Sequence, residues 1–358
     1  MSRIVAVSPV LPVHAYDQAT ITAVIAPLLT SDPVRQAAIQ RLHTASGVRT
    51  RHLALPLERY VEPMSFGQGN DVFIEVGLDL AEDAVRRGLK SAGLAPDDVD
   101  LLLFTSVTGI AAPSLDALLA GRLGMRPDVK RIPVFGLGCV AGAAGIARLH
   151  DHLAGHPDDV AVLVSVELCS LTLQRDDDSL ANAVSSGLFG DGAAAVVMAG
   201  ARRARELGLP GPDVLATRSC LFPGTEGLLG WDVVDTGFRI VLSPTLPDVV
   251  GTHLGPAVTS FLAAQGLATD DVRTWLAHTG GPRILDAAGR SLGLPPAALA
   301  RSRAGLERAG NLSSSGVLHV LADALAGHDA PPGSPAVLFA IGPGVSAELV
   351  LLRWDAPS

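Results

Sequence analysis

Residues 131–150 read RIPVFGLGCVAGAAGIARLH and hold the most reactive side chain of the sequence, Cys139. Residues 132–135 read as the end of a strand, Gly136 and Gly138 allow a tight turn, and residues 140–150 read as an alanine-rich helix. Cys139 is therefore placed at a strand-to-helix turn. There the unpaired amides and the helix dipole favour a thiolate, the form of cysteine that attacks carbonyl carbon. A thiolate needs a proton partner, and His278, at the end of an apolar run in WLAHTGGPRIL, is the candidate. Asn311, in ERAGNLSSSGVLHVL, opens a further helix and can donate its amide to a developing oxyanion. Each residue also has an ordinary structural reading: a buried thiol, a strand-end histidine, a helix N-cap. Taken as a set, they can hold an acyl group as a thioester and stabilise an enolate beside it.

The elements that must bring these residues together come from an internal echo. GLAPDDVDLLLFT at 93–105 returns as GLATDDVRTWLAH at 266–278, 173 residues later. Each copy follows an apolar pattern of helical period: Ile74, Leu78, Ala81, Val85, Leu89 and Ala92 in one, and Val250, Leu254, Ala257, Val258, Phe261 and Leu262 in the other. Each then leads into a short apolar run that reads as a buried strand. GCVAG at 138–142 lines up with NLSSSG at 311–316 at nearly the same offset. LFGDGAAAVV at 188–197 resembles LFAIGPGVSAELVL at 338–351 at a smaller offset, so the first copy carries an insertion. The echo implies an α/β fold of two similar halves on one core, divided within the polar, Pro- and Gly-containing stretch 200–215 into residues 1–210 and 211–358. The nucleophile falls in the first half, the histidine and asparagine in the second.

Bulk properties exclude several classes. Of the 358 residues, 48% are hydrophobic and 18% charged, the composition of a chain with a large core. A net charge of −9 argues against a nucleic-acid surface. The apolar runs are too short to span a bilayer, and the N-terminus lacks a signal-peptide pattern. Three cysteines without CxxC spacing point to neither a disulfide framework nor a cysteine zinc site, and so to a reduced, cytoplasmic protein.

The segments GLGCVAGAAG, LFGDGAAAVV, WLAHTGGPRIL, GNLSSSGVL and AIGPGVSAELVLLRW resemble the signatures of type III polyketide synthases, the chalcone synthase-like family, in order across residues 3–354. The resemblance implies a thiolase fold, a duplicated five-layer αβαβα architecture, and a homodimer. It implies acyl-CoA and malonyl-CoA as substrates, with no further cofactor and no metal. Cys139 is similar to the family's nucleophile, and His278 and Asn311 to the pair that activates malonyl decarboxylation. Phe189 resembles a gatekeeper between CoA tunnel and cavity. The second gatekeeper position holds Ile240 rather than phenylalanine, and LLGWDVVDTGFRIVLS resembles bacterial alkylpyrone and alkylresorcinol synthases. Small residues at Thr108, Ala112 (a methionine in chalcone synthases) and Cys169 are expected to leave a channel for an alkyl tail. Thr172 and Ser313 are expected to line the cavity and Trp231 to narrow it. Arg41 aligns with a CoA contact, while Ala38 and Ala45 replace neighbouring lysines; Arg283, Arg49 or Arg51 are candidates to compensate. Glu167 and Asp191 are read as structural, and Cys220 is unassigned. The expected reaction is extension of a long acyl starter on Cys139 by malonyl units, closing to an alkylpyrone, with a resorcinol as the alternative ring. Rival readings are a ketoacyl-carrier-protein synthase of the same fold, a cysteine hydrolase with the Cys–His–Asn order, and a catalytically silent binding subunit.

Overall fold

The computed structural model describes residues 1–327 and 331–354. The chain runs β1 (Ser2–Val10), β2 (His14–Asp17), α1 (Gln18–Leu29), α2 (Pro33–Ala45), β3 (Thr50–Leu53), α3 (Phe66–Ala92), β4 (Leu101–Thr105), α4 (Leu115–Leu123), β5 (Lys130–Val134), α5 (Ala141–Gly155), β6 (Val160–Leu168), α6 (Leu180–Leu188) and β7 (Asp191–Gly200). It continues with α7 (Ala201–Glu206), β8 (Asp213–Leu221), β9 (Leu229–Val234), β10 (Gly237–Leu242), α8 (Leu246–Ala263), β11 (Thr274–Ala277), α9 (Pro282–Ser291), α10 (Ala300–Ala309), α11 (Gly316–Gly327), β12 (Pro335–Gly342) and β13 (Ser346–Arg353).

The strand order is β11-β12-β13-β8-β1-β7-β6-β4-β5. The nine strands count as one sheet only because β1 and β8 pair at their ends, Ser2 with Val214 and Arg3 with Asp213. On either side of that seam the pattern repeats: β1 and β8 are followed outward by an antiparallel strand, a second antiparallel strand, and then a parallel one. The two sheet halves enclose α5 and α11. Alternating residues show it: Ala161, Leu163, Ala194, Val196, Leu338 and Val350 face the central helices. Val162, Val164, Ala195 and Val197 face α3 and α4, and Val337, Phe339, Leu349 and Leu351 face α8 and α9. The layers are helix, sheet, helix, sheet, helix: a thiolase fold. Burial on both faces is why β6, VAVLVSVEL, has no polar–apolar alternation.

The sequence echo folds as an echo. A capping box of Ser65 and Gln68 starts α3, and Gly93 ends it in the left-handed region at φ 68°. Gly266 has φ 71° at the matching place after α8. In the short turns that follow, Asp98 accepts the Ala95 N–H at 2.9 Å and Asp271 accepts the Ala268 N–H at 2.8 Å. The smaller downstream offset has a physical source: β6 and β7 are joined by residues 169–190, whereas only residues 343–345 separate β12 from β13.

The small residues of α5 set how closely the central layer packs. A methyl at Gly142 would collide with the Ser314 carbonyl oxygen, which is backbone and cannot move aside, whereas Gly155 on the same helix has open space. Gly142→Ala is expected to cost about 1–3 kcal/mol, and Gly155→Ala to be neutral or slightly stabilising. Denaturant titration of the two variants checks the contrast.

Candidate active site

Three segments of distant sequence build the site: the turn into α5, the end of β11, and the turn into α11. Cys139 lies in a short 3-10 turn, residues 138–140, just before α5. Gly138 has φ 54°, and a side chain there would run into the Pro343 ring, 2.5 Å from its Cγ. A side chain at Gly342 would in turn meet the Val140 N at 2.8 Å. The GPG segment from the second half is thus wedged against the cysteine turn, and glycine is required on both sides of the contact.

Cys139 Sγ donates to Ser313 Oγ at 3.7 Å. Ser313 takes the left-handed region at φ 47°, uncommon for a residue with a side chain. Its N–H donates to Asn311 Oδ1 at 2.9 Å. That bond fixes the orientation of the Asn311 amide and leaves Nδ2 as the free donor. Asn311 is itself held on the β7 side, where its N–H donates to the Leu188 carbonyl at 2.8 Å and its carbonyl accepts the Gly190 N–H at 3.0 Å. His278 follows β11, with its N–H donating to the Phe339 carbonyl at 2.9 Å. It approaches the head of α11: a Cβ on Gly316 would stand 3.3 Å from its Nδ1. Among the described residues neither ring nitrogen of His278 has a hydrogen-bond partner, although the residue is only 4% exposed. The structure therefore brings Cys139, His278, Asn311 and Ser313 together around residues 311–316.

Burial governs the charges. It pushes the Cys139 thiol up to about 12; the Ser313 hydroxyl opposes the rise and the Glu167 carboxylate adds to it. Loss of water thus opposes the thiolate that a helix start favours. Burial also lowers His278 to about 4, so its imidazole is neutral at pH 7. A thiol, an imidazole with open nitrogens and an amide, all gathered around residues 311–316, are groups able to pass a proton and stabilise charge when an acyl carbonyl arrives.

Burial holds His43 and His319, like His278, at about 4. Between pH 4 and 6.5 the unfolded chain binds these protons and the folded chain does not. The stability is therefore full above about pH 6.5 and lost as pH falls, about 3 kcal/mol for each residue. Asp191, raised to about 6 by burial, acts in the opposite sense: it favours the folded state at low pH and loses that contribution as pH rises through 6. The three histidines are expected to outweigh it together with Glu167 and Glu348, whose carboxyls burial also raises. The melting temperature is expected to fall from pH 7 to pH 5, and His319→Gln, which retains an N–H donor for the Ala193 carbonyl that His319 Nε2 meets at 3.0 Å, to make the fall shallower. An identical slope in the variant would contradict this.

Glu167 does more than the sequence reading gave it. Its fully buried carboxylate accepts from Val107 N–H at 3.1 Å, Thr108 Oγ1 at 3.0 Å, Ser106 Oγ at 3.3 Å and Ser313 Oγ at 3.1 Å, and from the Ser314 hydroxyl. Burial raises its pKa, and the Ser314 hydrogen bond opposes the rise. Through Ser313 this carboxylate positions the partner of Cys139. The signal in the sequence was a lone glutamate in an otherwise apolar strand, VAVLVSVEL.

Phe189 also lines a small cavity whose walls include Cys169, Thr172, Phe189, Trp231 and Ile240, five of the expected cavity residues; Cys139, His278 and Asn311 are not in its lining. Trp231 and Ile240 face each other across the β9–β10 hairpin. Sequence reasoning missed its polar wall of Tyr60, Ser170, Asn182, Ser185 and Ser186. Thr108 and Ser313 are not in that lining; both hydroxyls donate to Glu167. Ala112 lies exposed on the loop between β4 and α4, outside the cavity of its own chain. Arg51, offered as a CoA contact, is 3% exposed and holds Gln18 Oε1 and the Phe189 carbonyl, each at 2.9 Å. Arg41 on α2 and Arg283 on α9 are exposed and have no ion pair among the described residues.

A thiolase fold with a cysteine, a histidine and an asparagine converging at the helix starts of its two halves defines a class of acyl-condensing enzymes. Comparison narrows the class: residues 1–202 match the N-terminal domain of chalcone and stilbene synthases and residues 213–354 the C-terminal domain. The chain belongs to this family and is a type III polyketide synthase, an acyltransferase acting on CoA-linked substrates. It is 56% identical to a 1,3,6,8-tetrahydroxynaphthalene synthase of Streptomyces peucetius subsp. caesius over 353 residues, 99% of this chain and 93% of the relative. It is 32% identical to an alpha-pyrone synthesis polyketide synthase-like protein of Mycobacterium tuberculosis, over 89% of this chain and 83% of that one. The crystal structure of 1,3,6,8-tetrahydroxynaphthalene synthase from Streptomyces coelicolor A3(2) superimposes with a TM-score of 0.93 at 32% identity, covering 99% of this chain and all of that one. Among the described residues no helix is long and apolar enough to cross a membrane.

Proposed function

We propose that this chain condenses malonyl-CoA with itself to a ten-carbon chain that closes to 1,3,6,8-tetrahydroxynaphthalene. The observation that carries the reading is 56% identity, over almost the whole chain, to an enzyme of that name. The cavity supports it. Hydroxyls and an amide along one wall suit a chain with an oxygen on every second carbon better than an alkyl tail.

In this reading a malonyl thioester acylates Cys139 and CoA leaves; the thiol proton passes to His278 and on to the departing CoA thiolate. A second malonyl-CoA loses carbon dioxide, and the enolate oxygen is held by His278 and the Asn311 Nδ2 donor. The enolate carbon attacks the Cys139 thioester, and the longer chain returns to Cys139 for the next round. The ten ring carbons are five two-carbon units, so five malonyl-CoA yield the product with five carbon dioxide, five CoA and one water.

A specific observation favours the alkylpyrone reading as second. Cys169 and Ile240 leave the gate free of a second phenylalanine, and a relative named for alpha-pyrone synthesis covers most of the chain. One experiment separates the two. The protein is given labelled malonyl-CoA alone, then with acyl-CoA starters from C6 to C20, and products are identified by mass. The naphthalene tetrol from malonyl-CoA alone is expected. No product without a long acyl starter would replace this reading by the second.

The same proposal includes a cytoplasmic homodimer. β5 is an outer edge of the sheet with unpaired backbone. Ile132 (43% exposed) and Phe135 (53%) lie on or next to it, with Ile110 (48%) nearby in sequence on the loop after β4, a patch that a second copy would cover. Sedimentation of Ile132→Lys against the parent chain tests it.

A further inference from the structure

The far end of α5 carries a histidine group that the reaction does not use. His152 and His156 stand one turn apart on the last turn and C-cap of the helix, and Asp159 follows in the connection to β6. His152 Nε2 lies 2.9 Å from Asp159 Oδ2. The two imidazole rings are stacked with centroids 4.2 Å apart and planes 10° from parallel. One ligand atom from each of the three residues lies within 4.8 Å of the other two.

We propose that His152, His156 and Asp159 form a site for one divalent transition-metal ion, of the zinc type, which pins the end of α5 to the start of β6. Two imidazoles and one carboxylate are the donor set of zinc, nickel and copper rather than of magnesium or calcium. The i, i+4 spacing puts both histidines on one face of the helix. His156 Nδ1 lies 3.0 Å from the His152 carbonyl oxygen, a single contact that the ring gives up when it turns to present a lone pair to the ion. His156 is exposed, so its ring unstacks from His152 by a rotamer change without disturbing the core. The carbonyl end of a helix favours a cation. The backbone of the connection is already set: Asp159 N–H donates to the His156 carbonyl at 3.1 Å, and the Asp159 carbonyl accepts the Gly200 N–H at 3.0 Å. Lys130 Nζ, 3.8 Å from Asp159 Oδ2, is 56% exposed and swings away to admit the ion.

Fifteen helical residues put this site about 22 Å from the Cys139 end of α5. The ion therefore acts on the stability of the central layer and takes no part in the condensation. The test is titration of tag-free, full-length protein with zinc chloride in a calorimeter, with the absorption of the cobalt-substituted protein as a second readout. One ion per chain is expected, with a rise in melting temperature that a chelator reverses. His156→Ala, at an exposed position, is expected to weaken binding about tenfold or more. Cys139→Ala is expected to leave it unchanged. Absence of binding at millimolar zinc, binding that survives both His156→Ala and Asp159→Asn, or binding lost in Cys139→Ala each overturns the proposal.

Discussion

Replacing Cys139 by alanine is expected to abolish condensed product, by on the order of 10⁴-fold or more, while carbon dioxide is still released from malonyl-CoA. The two halves of that outcome have separate origins. The sulfur is the only group at the turn before α5 able to form a thioester, so chain growth has nowhere to be anchored without it. Its one side-chain hydrogen bond among the described residues is the long one to Ser313, and its loss leaves Asn311 held by the Ser313 N–H and His278 held by its own backbone. The groups that stabilise an enolate are therefore intact. Labelled malonyl-CoA, with gas release and product mass followed in parallel, gives both numbers. Loss of both activities together would mean that Cys139 is needed to shape the site rather than to carry the chain. Elongation that persists would remove it as the nucleophile.

The second large effect is expected at Asn311. Asn311→Asp keeps an oxygen for the Ser313 N–H but puts an acceptor, usually charged, where Nδ2 offered a proton. Turnover is expected to fall about 10²- to 10³-fold, the range for loss of one donor to a developing oxyanion, and here decarboxylation falls together with condensation. His278→Gln is expected to behave alike, since a neutral imidazole with two open nitrogens is the other group able to meet the enolate. Neither variant should lower the melting temperature by more than a few degrees, because the asparagine contact survives and His278 makes no side-chain hydrogen bond among the described residues. Fast release of carbon dioxide by Asn311→Asp would assign the enolate to other groups.

Much of this was legible in the sequence, and the reasons are local. The paired GLAPDDV and GLATDDV segments encode a left-handed helix end, an aspartate-capped turn and a buried strand within thirteen residues, so their repetition announced the duplicated frame. Cys139, His278 and Asn311 sit at element boundaries, where glycine and capping patterns are strong. What the sequence hid depends on long-range contact. Glu167 meets Thr108 and Ser313, 59 and 146 residues away, and only burial converts that glutamate from strand filler into the support of the site. The pressure of Pro343 on Gly138 is likewise invisible until the halves meet. Ala112 stands exposed on its loop, outside the cavity that Phe189 lines in its own chain, a placement no alignment of small residues reveals. Burial also opposes the thiolate expected at Cys139.

The insertion between β6 and β7, residues 169–190, and the β9–β10 hairpin lie outside the repeated frame, yet between them they supply most of the cavity wall. Under the proposed function, chemistry and choice of product are inherited through different stretches of chain. Drift in the insertion or the hairpin can remould what the enzyme makes while the cysteine turn, the strand-end histidine and the asparagine stay under their own constraints. A lineage carrying this architecture can diversify its products by small edits to two peripheral segments, and grafting those segments between relatives should carry product identity with them.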